Sequence, residues 1–255
     1  MKCTILGSGT SHGVPMIACD CPVCTSKDPR DTRSRASALF QFDGCSILID
    51  TAPELRLQCL ACDVRRIDAV LYTHHHADHV VGLDDLRRFN AIQRRPIPLY
   101  ASPETGAHLR RTFDYAFNHD PEYPSAKPDL TLIAIDGPFE LLGRTVLPVP
   151  LLHGSLPILG FRIGSIAYCT DCSRIPDESL ALLADLDFLI LDGLRHRPHA
   201  THFNLAQAIV AAQRVNARQT YFTHIAHELL HADVDADLPP SMHLAWDGLV
   251  LEATD

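Results

Sequence analysis

The segment THHHADHVVGL, at residues 73–83, constrains the fold and chemistry of this chain more than any other feature. It places four histidines and one aspartate between His74 and His79, directly after the apolar run IDAVLYT. Imidazole titrates near neutral pH and is the commonest metal ligand in proteins. A dense histidine cluster at the end of an apolar strand therefore indicates metal binding rather than packing.

The spacing within this cluster predicts two groups of ligands. On extended backbone, alternate side chains share one face of the strand, so His74, His76 and Asp78 can converge. The side chain of His75 then points away from that face. If a helix begins near Asp78, its first turn carries His79 to a second position. The cluster therefore predicts ligands for two adjacent cations.

Three later residues follow apolar runs in the same way. His153 follows TVLPVPLL, Asp171 follows IAYCT, and His224 follows QTYFT. Each is thereby placed at the rim of a sheet, where such sites are built. Asp50 ends the apolar run CSILID and fits two roles, an anchor that hydrogen-bonds a ligand histidine or a turn former at the end of a strand.

A second cluster lies in the long polar loop predicted for residues 7–34, which contains the run CDCPVC. Cys19, Cys21 and Cys24 offer three thiolates within six residues, most of a tetrahedral zinc shell. His227, in the segment THIAH, is the best candidate for the fourth ligand. A loop of this length has no core of its own, so a structural Zn²⁺ would account for its order. Three reduced cysteines without a metal are the alternative.

The rest of the sequence alternates strand and helix patterns, which predicts an α/β fold in a single domain over residues 1–255. Asp43-Gly44, between ALFQF and CSILID, predicts a β-hairpin, and a second Asp-Gly pair predicts another hairpin in the tail MHLAWDGLVLEA. Helices are predicted over PELRLQCLAC, DDLRRFNAIQ, PETGAHLRRTFDYAF and NLAQAIVAAQRV. Residues 118–129 form a long irregular segment that fits a lid or a disordered excursion equally well.

Charge and composition exclude several classes of protein. The chain carries 22 Lys and Arg against 31 Asp and Glu, a formal charge of −9 over 255 residues. Such a surface repels polyanions, so general nucleic-acid binding is not expected. No run of about eighteen apolar residues predicts a membrane span, and the first residues indicate a strand rather than a signal peptide. Nine cysteines in such a chain favour the reducing cytoplasm.

The complete signature H-x-H-x-D-H resembles that of the metallo-β-lactamase superfamily. The resemblance implies an αββα sandwich of two mixed β-sheets flanked by helices, with two metal ions at one edge. It also implies that Asp171 and a hydroxide bridge the two ions. The ligands implied for the first ion are His74, His76 and His153, and those for the second are Asp78, His79 and His224.

The ligand set and the chemistry of paired cations agree with this resemblance. Two cations about 4 Å apart polarise a phosphoryl or acyl oxygen and lower the pKa of a bound water to roughly 7. Imidazole and carboxylate ligands suit Zn²⁺, Mn²⁺ or Fe²⁺, and ligand identity does not choose among them. Hydrolysis by a metal-bound hydroxide is the reaction class that follows.

A narrower resemblance is carried by the first loop. GSGTSHGVP followed by C-x-C-x-x-C, ahead of the histidine signature, is similar to the PhnP-like phosphodiesterases, the phosphoribosyl cyclic phosphodiesterases of the carbon–phosphorus lyase pathway. That family carries a structural zinc on three such cysteines and a histidine, beside a dinuclear catalytic site. The resemblance implies a small, cyclic or unhindered phosphodiester substrate, two Mn²⁺ or Zn²⁺ ions, and His202 in THFNLAQAI as proton donor. The alternative role of His202 is a polar residue flanking a helix.

Two other functions remain open on the same signature. A tRNA 3′-processing nuclease uses it, although the acidic balance and the lack of a basic, glycine-rich arm argue against tRNA as the partner. The coenzyme PQQ biosynthesis protein PqqB resembles this sequence in the glycine loop and the cysteines, which would imply a non-hydrolytic accessory protein. Retention of all seven catalytic ligands favours hydrolysis. A homodimer is left open.

The remaining cysteines and histidines lie in weaker patterns. His12, in the glycine loop, is a candidate pocket residue, and Cys172 is left undecided. The cysteines expected to pack are Cys3, Cys45, Cys59, Cys62 and Cys169. The histidines expected at the surface are His108, His119, His196, His199, His231 and His243.

Overall fold

The computed structural model describes residues 1–118 and 126–254. These residues form two β-sheets of seven strands each. In chain order the strands are β1 (Lys2–Gly7), β2 (Ser37–Phe42), β3 (Cys45–Ile49), β4 (Ala69–Leu71), β5 (Ile97–Ala101), β6 (Leu130–Ala134), β7 (Phe139–Leu141), β8 (Arg144–His153), β9 (Leu156–Ile163), β10 (Ile166–Cys169), β11 (Phe188–Asp192), β12 (Gln219–Thr223), β13 (Met242–Leu244) and β14 (Val250–Glu252).

Both sheets mix parallel and antiparallel pairs. The first has the order β14-β1-β2-β3-β4-β5-β6, and its strands from β3 to β6 are parallel. The second has the order β13-β12-β11-β10-β9-β8-β7, and its strands from β10 to β13 are parallel. Because parallel strands end at a common edge, each sheet gathers the residues that follow several of its strands.

Helices cover the outer faces of the two sheets. They are α1 (Leu55–Ala61), α2 (Ala77–Val80), α3 (Leu86–Gln93), α4 (Pro103–Thr112), α5 (Asp114–Phe117), α6 (Asp177–Leu180), α7 (Leu205–Val215) and α8 (His231–Asp237). Local sequence explains where the longer ones begin: the Ser102 side chain accepts from the Thr105 backbone before α4, and Asn204 and Gln207 form a reciprocal capping box at α7. Within the described residues, none of these helices has both the length and the hydropathy to cross a membrane.

Three apolar cores hold the layers together. Facing residues of the two sheets, among them Phe40 and Phe161, form the central core. Val70 belongs to the core under α1, α3 and α4, and Leu189 to the core under α7. This layering confirms the predicted αββα sandwich.

One predicted hairpin is confirmed and the other is wrong. Asp43-Gly44 joins β2 to β3, which pair antiparallel. In the tail, β13 pairs parallel with β12 in the second sheet, whereas β14 pairs antiparallel with β1 in the first. The Asp247 carboxylate accepts hydrogen bonds from the backbone N–H groups of Ser8 and Ser34. The turn at Asp247 therefore crosses between the sheets because it is tied to the first loop.

One helix prediction differs from the structure, and one loop prediction falls largely outside the described residues. The segment predicted as one helix from Pro103 to Phe117 is divided into α4 and α5 at Phe113, whose φ and ψ of −115° and 42° are not helical. Of the irregular segment predicted at 118–129, residues 119–125 lie outside the described residues.

Three residues that follow strands adopt left-handed backbone conformations. They are Asp50 after β3, Asp171 after β10 and His224 after β12, with φ of 60°, 59° and 58°. A positive φ is uncommon outside glycine, and Asp and His adopt it more readily than most residues. Each turns the chain sharply at the same edge of the sandwich.

Candidate metal centre

The histidine segment begins where β4 ends. His76 has extended backbone at the start of α2, and the first turn of α2 carries Asp78 and His79. Ligand atoms of His74, His76 and His153 all lie within 4.8 Å of one another. Because His153 ends β8, the first predicted group of ligands is drawn from both sheets.

The second predicted group also comes together. Ligand atoms of Asp78, His79, Asp171 and His224 lie within 4.8 Å of one another. Asp171 Oδ1 is 3.2 Å from His79 Nε2, and Asp171 Oδ2 is 3.3 Å from His224 Nε2. The same Oδ2 atom lies 3.9 Å from Nε2 of His74, in the first group. Asp171 thus lies between the two groups, where a shared ligand would have to be.

Asp50 is fully buried beside His79. The Nδ1 atom of His79 donates to Asp50 Oδ2 at 2.7 Å, and the backbone N–H of Thr73 donates to Asp50 Oδ1 at 2.8 Å. The hydrogen bond to Asp50 fixes the imidazole ring of His79 so that its Nε2 atom faces Asp78 and Asp171, as a ligand histidine requires. Of the two roles expected for Asp50, the contacts favour the anchor.

Gly82 allows the segment to pack tightly against the end of β3. A Cβ atom at this position would lie 2.1 Å from the carbonyl oxygen of Ala52, which leaves room only for glycine. The Gly82 N–H donates to the Thr51 carbonyl, and the Thr51 N–H donates to the His79 carbonyl. These bonds hold α2 and its ligands in place.

Several buried ring nitrogens of the site make no hydrogen bond within the described residues. They are Nε2 of His74, Nε2 of His79 and both nitrogens of His224. An unsatisfied buried polar atom costs about 1–3 kcal/mol. Divalent cations between the two groups would satisfy the Nε2 atoms of His74, His79 and His224, so the residues present fit a pair of metal ions.

The ionisation of His74, His153 and Asp171 agrees with metal binding, whereas the Asp171 carboxylate, against the effect of burial, raises the pKa of His79 and of His224. Burial holds the pKa of His74 well below its ordinary value and lowers the pKa of His153 to about 4. Both rings are therefore neutral near pH 7, the form that binds metals. Burial opposes ionisation of Asp171, but His224 and His79 outweigh it and hold the pKa of the carboxyl well below its ordinary value.

The candidate proton donor lies beside these ligands, just before α7. The ring centroid of His202 is 4.5 Å from that of His153 and 4.7 Å from that of His224. Its Nδ1 atom donates to Oδ2 of Asp192 at 2.7 Å. Burial and the neighbouring His224 lower the pKa of His202 to about 3. An anionic substrate bound between His202 and the metal ligands would raise the pKa of His202 instead.

Sequence reasoning missed Asp192. This fully buried residue ends the apolar strand β11, as Asp50 follows β3, so a signal of the same kind was present. It also missed the carbonyl of Thr201, which accepts from Nδ1 of His153 at 2.7 Å. A backbone acceptor has no side-chain signature, and only the fold identifies it.

A cavity of about 280 Å³ opens beside the candidate proton donor. It is lined by polar residues of the first loop and of the segment before α7, among them His12, Arg195, Arg197, His199 and His202. The prediction that His12 lines a pocket is confirmed. A larger groove of about 570 Å³ runs along α7 but contains no predicted ligand, so it does not mark the site.

The four residues of the predicted structural zinc site also converge. Nδ1 of His227 lies 3.2, 3.4 and 3.7 Å from the sulfur atoms of Cys19, Cys21 and Cys24. Hydrogen bonds to the sulfur of Cys21, first that from the Cys24 backbone, lower the pKa of its thiol to about 6. A thiolate is the form that binds zinc. The donor set and its compactness fit one tetrahedral zinc.

Of the other histidines, one prediction is wrong. His231 is fully buried against Trp246, because α8 turns it inward beneath the first loop. His196 and His199 are exposed, as predicted, and His199 also contacts the ring of His202. His108 and His243 are partly buried, and His119 lies outside the described residues.

The remaining cysteines mostly pack as expected. Cys3, Cys59 and Cys169 are buried in the apolar cores, and Cys45 and Cys62 are partly buried against them. Cys172, left undecided from the sequence, is fully buried in the core of the second sheet.

Known proteins share the sequence pattern and the fold of this chain. The sequence pattern of the Beta-lactamase superfamily domain matches residues 46–225. The structure of a new diphosphatase from the PhnP family is 45% identical in sequence, with a TM-score of 0.92 over 99% of this chain and 98% of that one. Zn²⁺-bound PqqB from Methylobacterium extorquens is 24% identical and shares the fold, with a TM-score of 0.80 over 99% and 100% of the two chains.

One relative has a different name and a different length. The octanoyltransferase of Porphyromonas gingivalis is 40% identical over 254 residues, which are 98% of this chain and 51% of that protein. The chain therefore spans about half the length of this relative, and its similarity extends over one part of a larger protein.

Proposed function

Because the chain belongs to the PhnP family of the metallo-β-lactamase superfamily, we propose that it is a metal-dependent phosphodiesterase that hydrolyses small, cyclic or unhindered phosphodiesters. The observation that carries this proposal is the position of Asp171 between two groups of mostly buried ligands, with a further histidine, His202, directly beside them. Two charge-neutralising cations and a proton donor are the groups that hydrolysis of a diester needs.

The metal groups are proposed to share one aspartate. His74, His76 and His153 would hold one ion, Asp78, His79 and His224 the other, and Asp171 both. When bound, two Zn²⁺ or Mn²⁺ ions would supply a hydroxide nucleophile from water and neutralise the charge that develops on the phosphoryl oxygens. Asp50 fixes the ring of His79, and the Thr201 carbonyl fixes that of His153.

His202 would protonate the leaving alkoxide. Its Nδ1 atom is held by Asp192, so the opposite ring nitrogen, Nε2, is the one free to face a substrate. Ionised Asp192 would stabilise the protonated imidazole that a general acid requires, and burial opposes that ionisation by raising the pKa of Asp192 well above its ordinary value. The adjacent cavity of about 280 Å³ suits a small diester better than a folded nucleic acid.

The names of the relatives suggest other activities that the same experiment separates. The diphosphatase supports phosphorus chemistry at this site. The octanoyltransferase is about twice as long, so its acyl-transfer activity need not belong to the part that matches. We further propose that the cysteine cluster holds a structural zinc, that residues 1–255 act as one domain, and that the protein works in the cytoplasm.

The test is a substrate panel on protein loaded with Zn²⁺ or Mn²⁺. It compares a 2′,3′-cyclic nucleotide, bis(p-nitrophenyl) phosphate, a precursor tRNA and an octanoyl thioester. We expect hydrolysis of the two small diesters, which chelation abolishes and either cation restores. Activity confined to the thioester or to tRNA, or none in fully metallated protein, would contradict the proposal.

A further inference from the structure

His75 turns away from the metal ligands on either side of it, as its spacing predicted, and contacts a different element. Its ring stacks on that of His108 in α4, with centroids 3.8 Å apart and an angle of 15° between the planes. The rings of His75 and His76 have centroids 5.7 Å apart. The outer side of the histidine segment therefore carries a second pair of imidazoles.

A carboxylate completes this group. Glu104 and His108 are four residues apart in α4, and side chains at this spacing lie on one face of a helix. One ligand atom from each of His75, Glu104 and His108 lies within 4.8 Å of the other two. Ligand atoms around a tetrahedral zinc lie about 3.4 Å apart. Because the two rings are stacked nearly parallel, their in-plane lone pairs can meet at one cation only when one of these partly exposed imidazoles turns out of the stack.

The contacts of His108 show what a cation would have to replace. Arg111, one turn further along α4, has its Nη2 atom 2.8 Å from Nδ1 of His108. A ring nitrogen that accepts from a guanidinium carries a free lone pair, which is the form that binds a metal. Because the contact is exposed, the long side chain of Arg111 can move into solvent when a cation takes its place.

We propose that His75, Glu104 and His108 form a further divalent-cation site, the outer site, separate from the catalytic pair and from the cysteine cluster. Two imidazoles and one carboxylate suit Zn²⁺ and Ni²⁺, and an exposed position leaves room for water as a further ligand. A cation there joins α4 to the segment that carries His74 and His76. The outer site thus couples an exposed helix to the catalytic ligands.

Metal counting tests the proposal without reference to turnover. The full-length protein, with its other sites loaded, is dialysed against micromolar Zn²⁺, and bound zinc per chain is measured by elemental analysis. We expect one more equivalent in the parent protein than in either Glu104→Gln or His108→Ala. His196→Ala, which removes an exposed imidazole elsewhere, should bind as much zinc as the parent.

Arg111 provides an independent arm of the test. Arg111→Ala removes the group that competes for His108, so the extra zinc should bind about two- to tenfold more tightly, the range of a single hydrogen bond. Equal zinc content in the parent, Glu104→Gln and His108→Ala would overturn the outer site, as would an Arg111→Ala variant that binds the extra zinc less tightly. Neither result depends on whether the protein hydrolyses phosphodiesters.

Discussion

The imidazole of His202 donates from Nδ1 to the fully buried carboxylate of Asp192 at 2.7 Å, at the same edge of the sandwich as the candidate metal ligands. Asp192 ends β11, which lies between β10 and β12, the strands that precede Asp171 and His224. The second sheet therefore positions two candidate ligands and the partner of the candidate acid on three neighbouring strands.

Asp192→Asn should slow hydrolysis of unactivated diesters and leave the metal content unchanged. An amide keeps the shape of the side chain but does not stabilise a protonated His202. We expect kcat to fall by about 10- to 10²-fold, less than the full contribution of a general acid. The measurements are steady-state kinetics and metal analysis. Loss of metal together with activity would show that Asp192 acts on the ligands instead.

His202→Ala should lower the rate by about 10²–10⁴ on a diester with a poor leaving group. Both metals should be retained, because the two groups of candidate ligands are complete without His202. The loss should shrink for bis(p-nitrophenyl) phosphate, since nitrophenolate leaves without a proton. Equal losses on activated and unactivated diesters would remove His202 from the acid role.

Asp171→Ala should expel one of the paired cations and abolish turnover. Asp171 is the anion between both groups, so without it the two cations repel each other with less compensation. Metal analysis should show one fewer equivalent than in the parent protein. His196→Ala, which removes an exposed histidine outside both groups of ligands, is the control for metal lost while the protein is handled. A variant that keeps both metals would exclude Asp171 as their shared ligand.

Cys21→Ser should release the structural zinc and lower stability more than it changes the chemistry. Its sulfur lies 3.4 Å from Nδ1 of His227, and a structural zinc contributes directly to the free energy of folding. The expected result is a lower melting temperature, with zinc lost from the parent stoichiometry. Cys62→Ser, which replaces the partly buried cysteine at the end of α1, is the control. Unchanged zinc content and melting in Cys21→Ser would refute the zinc site.

Acid should destabilise the protein partly through His231. Burial lowers the pKa of this histidine to about 4 from an ordinary 6.5. Between these values the unfolded chain binds a proton that the folded chain does not, so the unfolding free energy should fall as pH drops from 6.5 to 4. His231→Gln should remove about 1–3 kcal/mol of this fall. Urea unfolding at several pH values measures it, and identical pH slopes in both proteins would exclude the contribution.

Much of the fold, and the two groups of candidate ligands, could be predicted because they depend on local patterns in the sequence. Apolar runs ending in a ligand marked β4, β8, β10 and β12, and all seven predicted ligands come together in two groups. The spacing also separated His75 from its neighbours. These predictions needed only alternation along a strand and the common edge of parallel strands.

The errors arose where distant contacts decide the structure. The Asp-Gly pair of the tail indicates a turn, but hydrogen bonds from Ser8 and Ser34 to Asp247 direct the following strand into the other sheet. His231 has a polar sequence environment, yet its helix packs under the first loop. Asp192 ends an apolar run as Asp50 does, but its role follows from the hydrogen bond to His202, ten residues away and across a turn. Such contacts join residues that no local pattern connects.

The left-handed backbone at Asp50, Asp171 and His224 restricts which amino acids can replace them. A β-branched residue such as valine would be strained there before any chemistry is considered, whereas Asn, Asp, His and Gly are accommodated. Three of these four carry side chains that can ligate a cation or hydrogen-bond a ligand. At this edge of the sandwich, the backbone conformation therefore favours substitutions to residues that can bind a cation or hydrogen-bond a ligand. A ligand lost by mutation could then be regained by a single further substitution.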